Sequence, residues 1–348
     1  MRTKIAILTA TQDGLIAANL LNEYISEFIY LESSHTNEQV AGKIDKKLLK
    51  NLRINKHKVS SYDLTSEKDV ELFSRLQIDI LLVIGWQRLV PESILNRIAV
   101  KSLGAHGSIS GITQGRGRSP QNWAIMMGAT EFDVSLFTLD PYVDSGEIIA
   151  SKKIEITNQD DINSLHVKVT KTIVDVIREL ITNNDFSNMG IKQRHEEAGY
   201  FPARQPEDGL IDFNLDFQDF DNYVRALCNP YPQARFLNGN RLFKFNRVYY
   251  VSNLEGYENL PNGYVISRFS TTNLLVKISD CIILIDDLVA EKSDAEIEIP
   301  EKSVLIGANI VKNIQNIISR HSNKYPNLDI SIDMLAYYKY LISKYGSK

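Results

Sequence analysis

The sequence predicts a doubly wound, mostly parallel α/β sheet, followed by a smaller β-rich domain and terminal helices. Three observations predict it. Over the first half, short aliphatic runs alternate with segments whose apolar residues recur at helical spacing. Around residues 193–212 that periodicity stops, in a stretch carrying Gly199, Pro202, Pro206 and Gly209. Beyond it come short β-type runs with turn signals at Asn238-Gly239 and Asn262-Gly263. The expected organisation is therefore a first domain over 1–192, a linker over 193–212, a β-rich domain over 213–300 and terminal helices over 301–348.

In the first domain, residues 4–8 form an aliphatic strand, a turn at Asp13 and Gly14 follows, and Leu15, Ala18 and Leu21 then lie on one helix face. Residues 28–31 read as a strand and 40–52 as a helix. Ser66, with Glu67 and Asp69 in the first turn, opens a helix that ends near Leu76. Residues 78–84, ended by Gly85, look like a strand covered on both faces. Pro91 suits a helix start. Residues 100–105 return to the sheet, 120–127 are helical, and 133–139 form another strand. A hairpin over 146–156 leads to a long helix carrying Ile162, Leu165, Val169, Ile173, Val176, Ile177 and Leu180 on one stripe. In the second half, 217–227 is helical. Strands are expected at 234–237, 242–251, 263–266, 274–278 and 281–285, and helices at 304–318 and 332–342. The last of these is either a packing element or a subunit contact, which leaves a homodimer open.

Length and composition narrow the function classes. A chain of 348 residues, 43% apolar and 24% charged, can bury one large core or two modest ones. Its 39 basic and 43 acidic side chains leave no broad cationic surface, and residues 201–300 carry 15 acidic against 9 basic groups. A nucleic acid partner is not expected. The only cysteines, Cys228 and Cys281, cannot form a disulfide framework or a cysteine-rich zinc module. No metal is expected, because no histidine has a second ligand at metal spacing. The apolar run near the start is too short for a signal peptide, and no later run would span a bilayer, so the expectation is a cytoplasmic protein without a membrane segment. The loop after the first strand, Thr9-Ala10-Thr11-Gln12-Asp13-Gly14, lacks the Gly-rich dinucleotide fingerprint, which argues against a redox cofactor. Its polar side chains, Gln12 among them, could still hold a substrate.

Polar residues concentrate in three pieces: Ser102-Leu103-Gly104-Ala105-His106-Gly107-Ser108, Arg116-Gly117-Arg118-Ser119-Pro120-Gln121-Asn122-Trp123, and Asp140-Pro141-Tyr142-Val143-Asp144-Ser145-Gly146-Glu147. The outer two fall just after expected strands, where open α/β sheets gather their ligand sites. A carboxylate on one loop can then orient an imidazole on another and favour its charged form, which suits proton transfer. Plainer readings exist. Asp144 is also good turn chemistry before Gly146, Trp86 could be core, and Arg88 and Arg116 could be solvated charges or bidentate holders of a carboxylate or phosphate. Trp123 is expected to pack its helix onto the sheet.

Taken in order and spacing, these pieces resemble the formyltransferase family that uses N10-formyltetrahydrofolate, most of all the sugar N-formyltransferases. The resemblance rests on His106-Gly107-Ser108, on Arg116-Gly117-Arg118-Ser119-Pro120, on the segment from Asp79 to Pro91, and on Asp144-Ser145-Gly146-Glu147. It continues through Arg204-Gln205-Pro206 to Asp212 and through Arg225-Ala226 with Pro230-Tyr231-Pro232, and covers roughly residues 3 to 250. It implies a formyltransferase-type Rossmann-like catalytic domain that moves a formyl group from the folate cosubstrate to a primary amine on a nucleotide-linked amino sugar. By the same resemblance His106 and Asp144 are catalytic, and Trp86, Gln87, Arg88, Leu89 and Asp140 contact the cosubstrate. Arg116, Gln12 and Ser108 are the expected substrate contacts.

One position departs from the family. Gly104 stands where the relatives carry a catalytic asparagine, and two extra residues lie between His106 and Arg116. Loss of one oxyanion donor typically costs about 10²–10³ in rate. Asn122, Gln121, Gln114 or a backbone N–H are the candidate replacements, with Asn122 foremost. The departure keeps two alternatives in view: a catalytically impaired folate or sugar-nucleotide binding protein, and a formyltetrahydrofolate hydrolase.

Overall fold

Strand β1 (Ile5–Thr9) is buried at every position, as an aliphatic strand is when both faces of its sheet are covered. The computed structural model describes residues 3–32, 44–183, 185–186, 190–291 and 298–346. After β1 the chain runs through α1 (Gln12–Leu20), β2 (Glu27–Tyr30), α2 (Lys46–Asn51), β3 (Asn55–Lys58), α3 (Glu67–Leu76), β4 (Ile80–Val83), α4 (Glu92–Leu95) and β5 (Lys101–Ser108). It continues through α5 (Gly111–Gln114), β6 (Arg116–Gly117), α6 (Pro120–Met126), β7 (Glu131–Thr138), β8 (Ile148–Glu155) and α7 (Ile162–Asn183). The chain divides into two compact units, neither of them a single stretch of sequence. One comprises residues up to Arg116, 131–155 and 166–198; the other comprises 117–130, 156–165 and 199 onward.

The first unit holds a seven-stranded sheet in the order β3-β2-β1-β4-β5-β7-β8. Pairs from β3 to β5 are parallel, whereas β5–β7 and β7–β8 are antiparallel. The order reverses between β1 and β4, the place where a doubly wound sheet opens a crevice at its carboxyl edge. On one face Ala6, Leu8, Ile29, Phe73, Leu81 and Val83 form a buried cluster. Helix α3 joins it because Ser66 caps the helix by accepting from the Asp69 N–H and because Phe73 and Leu76 fall on its buried face.

Several elements differ from the sequence expectation. Strand β3, Asn-Lys-His-Lys, is too polar to be read as a strand; it is an edge strand, and His57 pairs with Glu27 of its neighbour at 2.6 Å. The helix expected over 40–52 is seen as α2 from Lys46, with Asp45 as cap, and residues 40–43 lie outside the described set. Pro91 precedes α4, which is a single turn. Strand β5 runs on to Ser108, because every residue from Leu103 to Ser108 finds a partner on β7.

The second unit contributes β9 (Tyr200–Phe201), α8 (Phe217–Leu227), β10 (Ala234–Asn238), β11 (Arg241–Phe245) and β12 (Arg247–Ser252). The remaining elements are β13 (Val265–Ser270), β14 (Asn273–Lys277), β15 (Ile282–Asp286), β16 (Val289–Ala290), α9 (Ile310–Lys324) and α10 (Ile332–Tyr345). Two antiparallel sheets, β10-β11-β16 and β12-β15-β14-β13, enclose a core built on Phe213, Phe220, Phe236, Phe243 and Phe245. The run expected as one strand over 242–251 is two strands. They part at Asn246, whose side chain accepts from the Asn229 N–H and the Gln233 amide. The helix expected over 304–318 starts later, at Ile310, because Val304 and Ile306 bridge to Tyr264 and Leu237. Both cysteines are buried. No described helix is long and apolar enough to cross a membrane.

Candidate active site

Within β5, Gly104, His106 and Ser108 alternate onto one face of the sheet. The His106 ring is held from both sides. Its Nε2 lies 2.7 Å from the Gly115 carbonyl oxygen, an atom that can only accept, so Nε2 carries a proton and donates it. Its Nδ1 lies 3.6 Å from Asp144 Oδ2, and the two side chains are 12% and 22% exposed, enough for a ligand to reach them.

Asp144 does not arrive as the sequence reading supposes. That reading has Asp144 follow a strand ending at the same edge as β4, but β7 runs antiparallel to β5, so its carboxyl end points the other way. The connection over residues 139–147 instead lies over the sheet face that carries His106. Asp144 adopts a left-handed φ of 49°, which Asp tolerates better than most residues. Asp140 Oδ1 shapes the turn by accepting from the Tyr142 N–H at 2.9 Å and the Ser145 hydroxyl at 2.5 Å. The connection is then fixed by a residue that sequence reasoning missed. Buried Gln193 donates from Nε2 to the carbonyl oxygens of Asp144 (2.9 Å) and Gly146 (2.7 Å). Nothing in an aperiodic stretch after α7 singles out one glutamine, so no sequence signal could have found it.

The space beside Gly104 is filled. A Cβ at this position would lie 2.7 Å from Leu139 Cδ2 and 3.0 Å from Phe137 Cζ. The room a longer side chain would use is thus taken by two apolar groups, one on the strand partner of Gly104 and one on the Asp144 connection. Gly115 is required for a different reason. A Cβ there would fall 1.5 Å from Ser108 Oγ, so only glycine lets the segment after α5 bring its carbonyl down onto His106.

Other expected residues are placed as follows. Val83 is the sheet partner of Gly104, so the segment from Ile84 to Leu89 leaves the sheet alongside His106. Trp86 is half-buried against the cluster on that face and packs edge-on to Tyr62 at 4.9 Å; its Nε1 has no hydrogen-bond partner among the described residues. Gln87, Arg88 and Leu89 are exposed, and Arg88 lies over the Tyr62 ring at 5.6 Å. Gln12, the first residue of α1, accepts from the Asp45 N–H at 2.8 Å.

Three expected residues face protein rather than open space. Arg116, 2% exposed, donates to Gln193 Oε1 from Nη2 at 2.8 Å and Nε at 3.3 Å, so it is neither a solvated charge nor open to a substrate in this conformation. Ser108 is fully buried, with its hydroxyl against Gly115. Asn122 belongs to the second unit and is 1% exposed, its Nδ2 donating to the Ala226 carbonyl at 2.6 Å; the amide serves the packing of α6 on α8 and is not available as an oxyanion donor there. Of the other replacement candidates, Gln114 donates to the Glu197 carbonyl, and the Gln121 Oε1 is buried with no partner among the described residues. Trp123 is fully buried within the second unit, with Nε1 donating to the Pro202 carbonyl and the Arg204 guanidinium over its ring.

A further imidazole–carboxylate pair, besides His57–Glu27, lies at the start of α1. His166 Nδ1 is 3.7 Å from Asp13 Oδ2. Burial holds this imidazole below its ordinary pKa despite the opposing pull of the Asp13 charge.

Residues 4–181 match the family described as formyl transferase, and residues 204–298 match the formyl transferase C-terminal domain. The chain belongs to the formyl transferase family. Among solved structures it resembles HypX from Aquifex aeolicus in complex with tetrahydrofolic acid, at 16% identity and a TM-score of 0.61, over 95% of this chain and 49% of that one. The chain thus spans about half the length of HypX. It also resembles an N-formyltransferase from Helicobacter canadensis in complex with folinic acid and dTDP-3-aminofucose (15% identity, TM-score 0.53, 82% and 99% coverage). Methionyl-tRNA formyltransferase from Clostridium thermocellum matches at 20% identity and a TM-score of 0.52, over 80% of this chain and all of that one. At these identities the likeness is one of fold, so the acceptor has to be argued from this chain's own residues.

Proposed function

We propose that this formyl transferase moves a formyl group from N10-formyltetrahydrofolate to a primary amine on a nucleotide-linked amino sugar. The observation that carries this reading is the His106–Asp144 pair, set beside the segment that follows β4 and partly open to solvent. A neutral amine attacks the formyl carbon, the tetrahedral intermediate collapses by breaking the bond to the folate N10, and the proton lost by the amine is returned to that nitrogen. His106 carries the proton. One taken up at Nδ1 sits 3.6 Å from the Asp144 carboxylate, which stabilises the transient imidazolium while the Gly115 carbonyl keeps the ring oriented. The segment from Trp86 to Leu89 lines the cosubstrate slot. A sugar acceptor is favoured over a transfer RNA because residues 201–300 carry an excess of acidic side chains, which would repel a phosphate backbone.

The test is incubation with N10-formyltetrahydrofolate and a panel of nucleotide-linked amino sugars, read by mass spectrometry. Gain of one carbonyl unit by an acceptor, together with release of tetrahydrofolate, is the expected result. A specific observation favours a second reading. Leu139 and Phe137 close the space beside Gly104, which removes the family's side-chain donor. A hydrolase would release formate with no acceptor present, and an inactive binder would retain the cosubstrate unchanged. Either outcome would replace the transferase reading.

A further inference from the structure

The two oxygens that face the His106 ring nitrogens, the Gly115 carbonyl at Nε2 and Asp144 Oδ2 opposite Nδ1, lie on segments without regular structure of their own, and one buried amide ties those segments together. Gln193 uses its full hydrogen-bonding capacity. Its two N–H groups go to the carbonyl oxygens of Asp144 and Gly146. Its Oε1 accepts from Arg116 Nη2 (2.8 Å) and Nε (3.3 Å), and from Thr113 Oγ1 (3.2 Å). Thr113 and Arg116 flank Gly115, whose carbonyl accepts from His106 Nε2. Gly146 and Asp144 bracket the turn that presents the carboxylate to Nδ1. Gln193 is 7% exposed, so these bonds are not exchanged for water at little cost.

We propose that Gln193 is a positioning residue, an amide clamp that holds the Asp144 turn and the Gly115 carbonyl on opposite sides of His106 and so fixes the tautomer and orientation of the imidazole. The chemistry favours an amide over any other side chain here. A carboxylate would keep the bonds from Arg116 and Thr113 but would set a negative oxygen against two carbonyl oxygens. A hydrocarbon would lose all of the bonds.

In its effect on catalysis the proposal rests on the formyl-transfer reading; in its effect on the ring it does not, and the experiment separates the two. Gln193→Glu and Gln193→Met proteins are made alongside wild type, with the His106→Asn protein used to assign the His106 ring resonances. In ¹⁵N spectra the wild-type ring should show one tautomer, protonated at Nε2. Both variants should show nitrogens averaged between tautomers while retaining wild-type amide spectra elsewhere. Should either variant fail to fold, Thr113→Val, which removes one donor to Gln193 Oε1, should give a smaller change in the same direction. Under formyl-transfer conditions, Gln193→Glu should lower kcat by about ten-fold or more with a much smaller change in KM, and should add little when Asp144 is already Asn. Unchanged His106 ring shifts in a folded variant would overturn the clamp whatever the enzyme's substrate. Fully multiplicative losses in the double variant would overturn its action through Asp144. A wild-type protein that formylates nothing but shows the expected ring shifts would leave the clamp standing and remove only the transfer reading.

Discussion

At the scale of single residues, His106 and Gly104 matter for opposite reasons. The imidazole is partly exposed with an oxygen opposite each nitrogen, whereas the glycine marks a place where a side chain would have to displace the ends of Leu139 and Phe137. His106→Asn is expected to lower kcat for formyl transfer by about 10²–10⁴, the usual worth of a placed proton-transfer group, with folding unaffected by circular dichroism. Gly104→Asn, although it restores the family residue, should not raise activity. The new Cβ meets Leu139 and Phe137, so the expected result is a loss of roughly 1–3 kcal/mol in chemical denaturation. Adding Leu139→Ala should recover part of that loss, because Leu139 Cδ2 is the nearer obstacle. Sequence motifs marked His106, Asp144 and Gly104, since each sits in a recognisable string. They did not mark Leu139 as the group that closes the space, because its role depends on a connection folding over the sheet.

At the scale of elements, the site is assembled by two connections rather than by strand ends. Residues 139–147 cross the face of the sheet, and the turn after α5 lowers Gly115 onto His106. The close contact of Gly115 with Ser108 makes the second connection intolerant of any side chain. Gly115→Ala is expected to cost roughly 1–3 kcal/mol and to shift the His106 ring resonances, with Ser108→Gly in the same protein restoring both. Ser108 and Arg116 illustrate how far sequence reasoning reaches. Each belongs to the motif that identifies the family, yet each is buried and supports these connections from within. A polar residue in a motif reads the same whether it faces a ligand or the protein.

At the scale of the whole molecule, buried imidazoles set the response to acid. Burial holds His321 below its ordinary value, and its Nε2 has no partner among the described residues. His166 is displaced in the same direction, also by burial. A base with a depressed folded pKa binds protons more readily when unfolded. Its contribution to stability is therefore complete above the unfolded value of about 6.5 and is lost as the pH falls below it. The slope is at most about 1.4 kcal/mol per pH unit for each group. Urea midpoints should accordingly fall between about pH 7.5 and pH 5.5, and His321→Phe should flatten that fall. Asp216 acts lower on the scale. Burial raises its pKa, but the hydrogen bonds from Lys344 and the Asp219 N–H, together with the Lys344 charge, outweigh that and hold the carboxylate below its usual range. Its stabilisation is therefore present above the ordinary carboxylate value and lost on further acidification.

The sequence by itself determined the alternation of strands and helices in the first half, the β-rich character of the second, the family, and the His106–Asp144 candidates. These are properties of local periodicity and of short strings, which a linear reading preserves. Only the tertiary structure decided the antiparallel run of β7, the crossing of residues 139–147 over the sheet, the burial of Arg116, Ser108 and Asn122, and the clamp at Gln193. Each of those depends on which polar atoms find partners across long sequence separations, such as the 77 residues between Arg116 and Gln193. A hydrogen bond acts over a few ångströms of space and leaves no periodic trace along the chain.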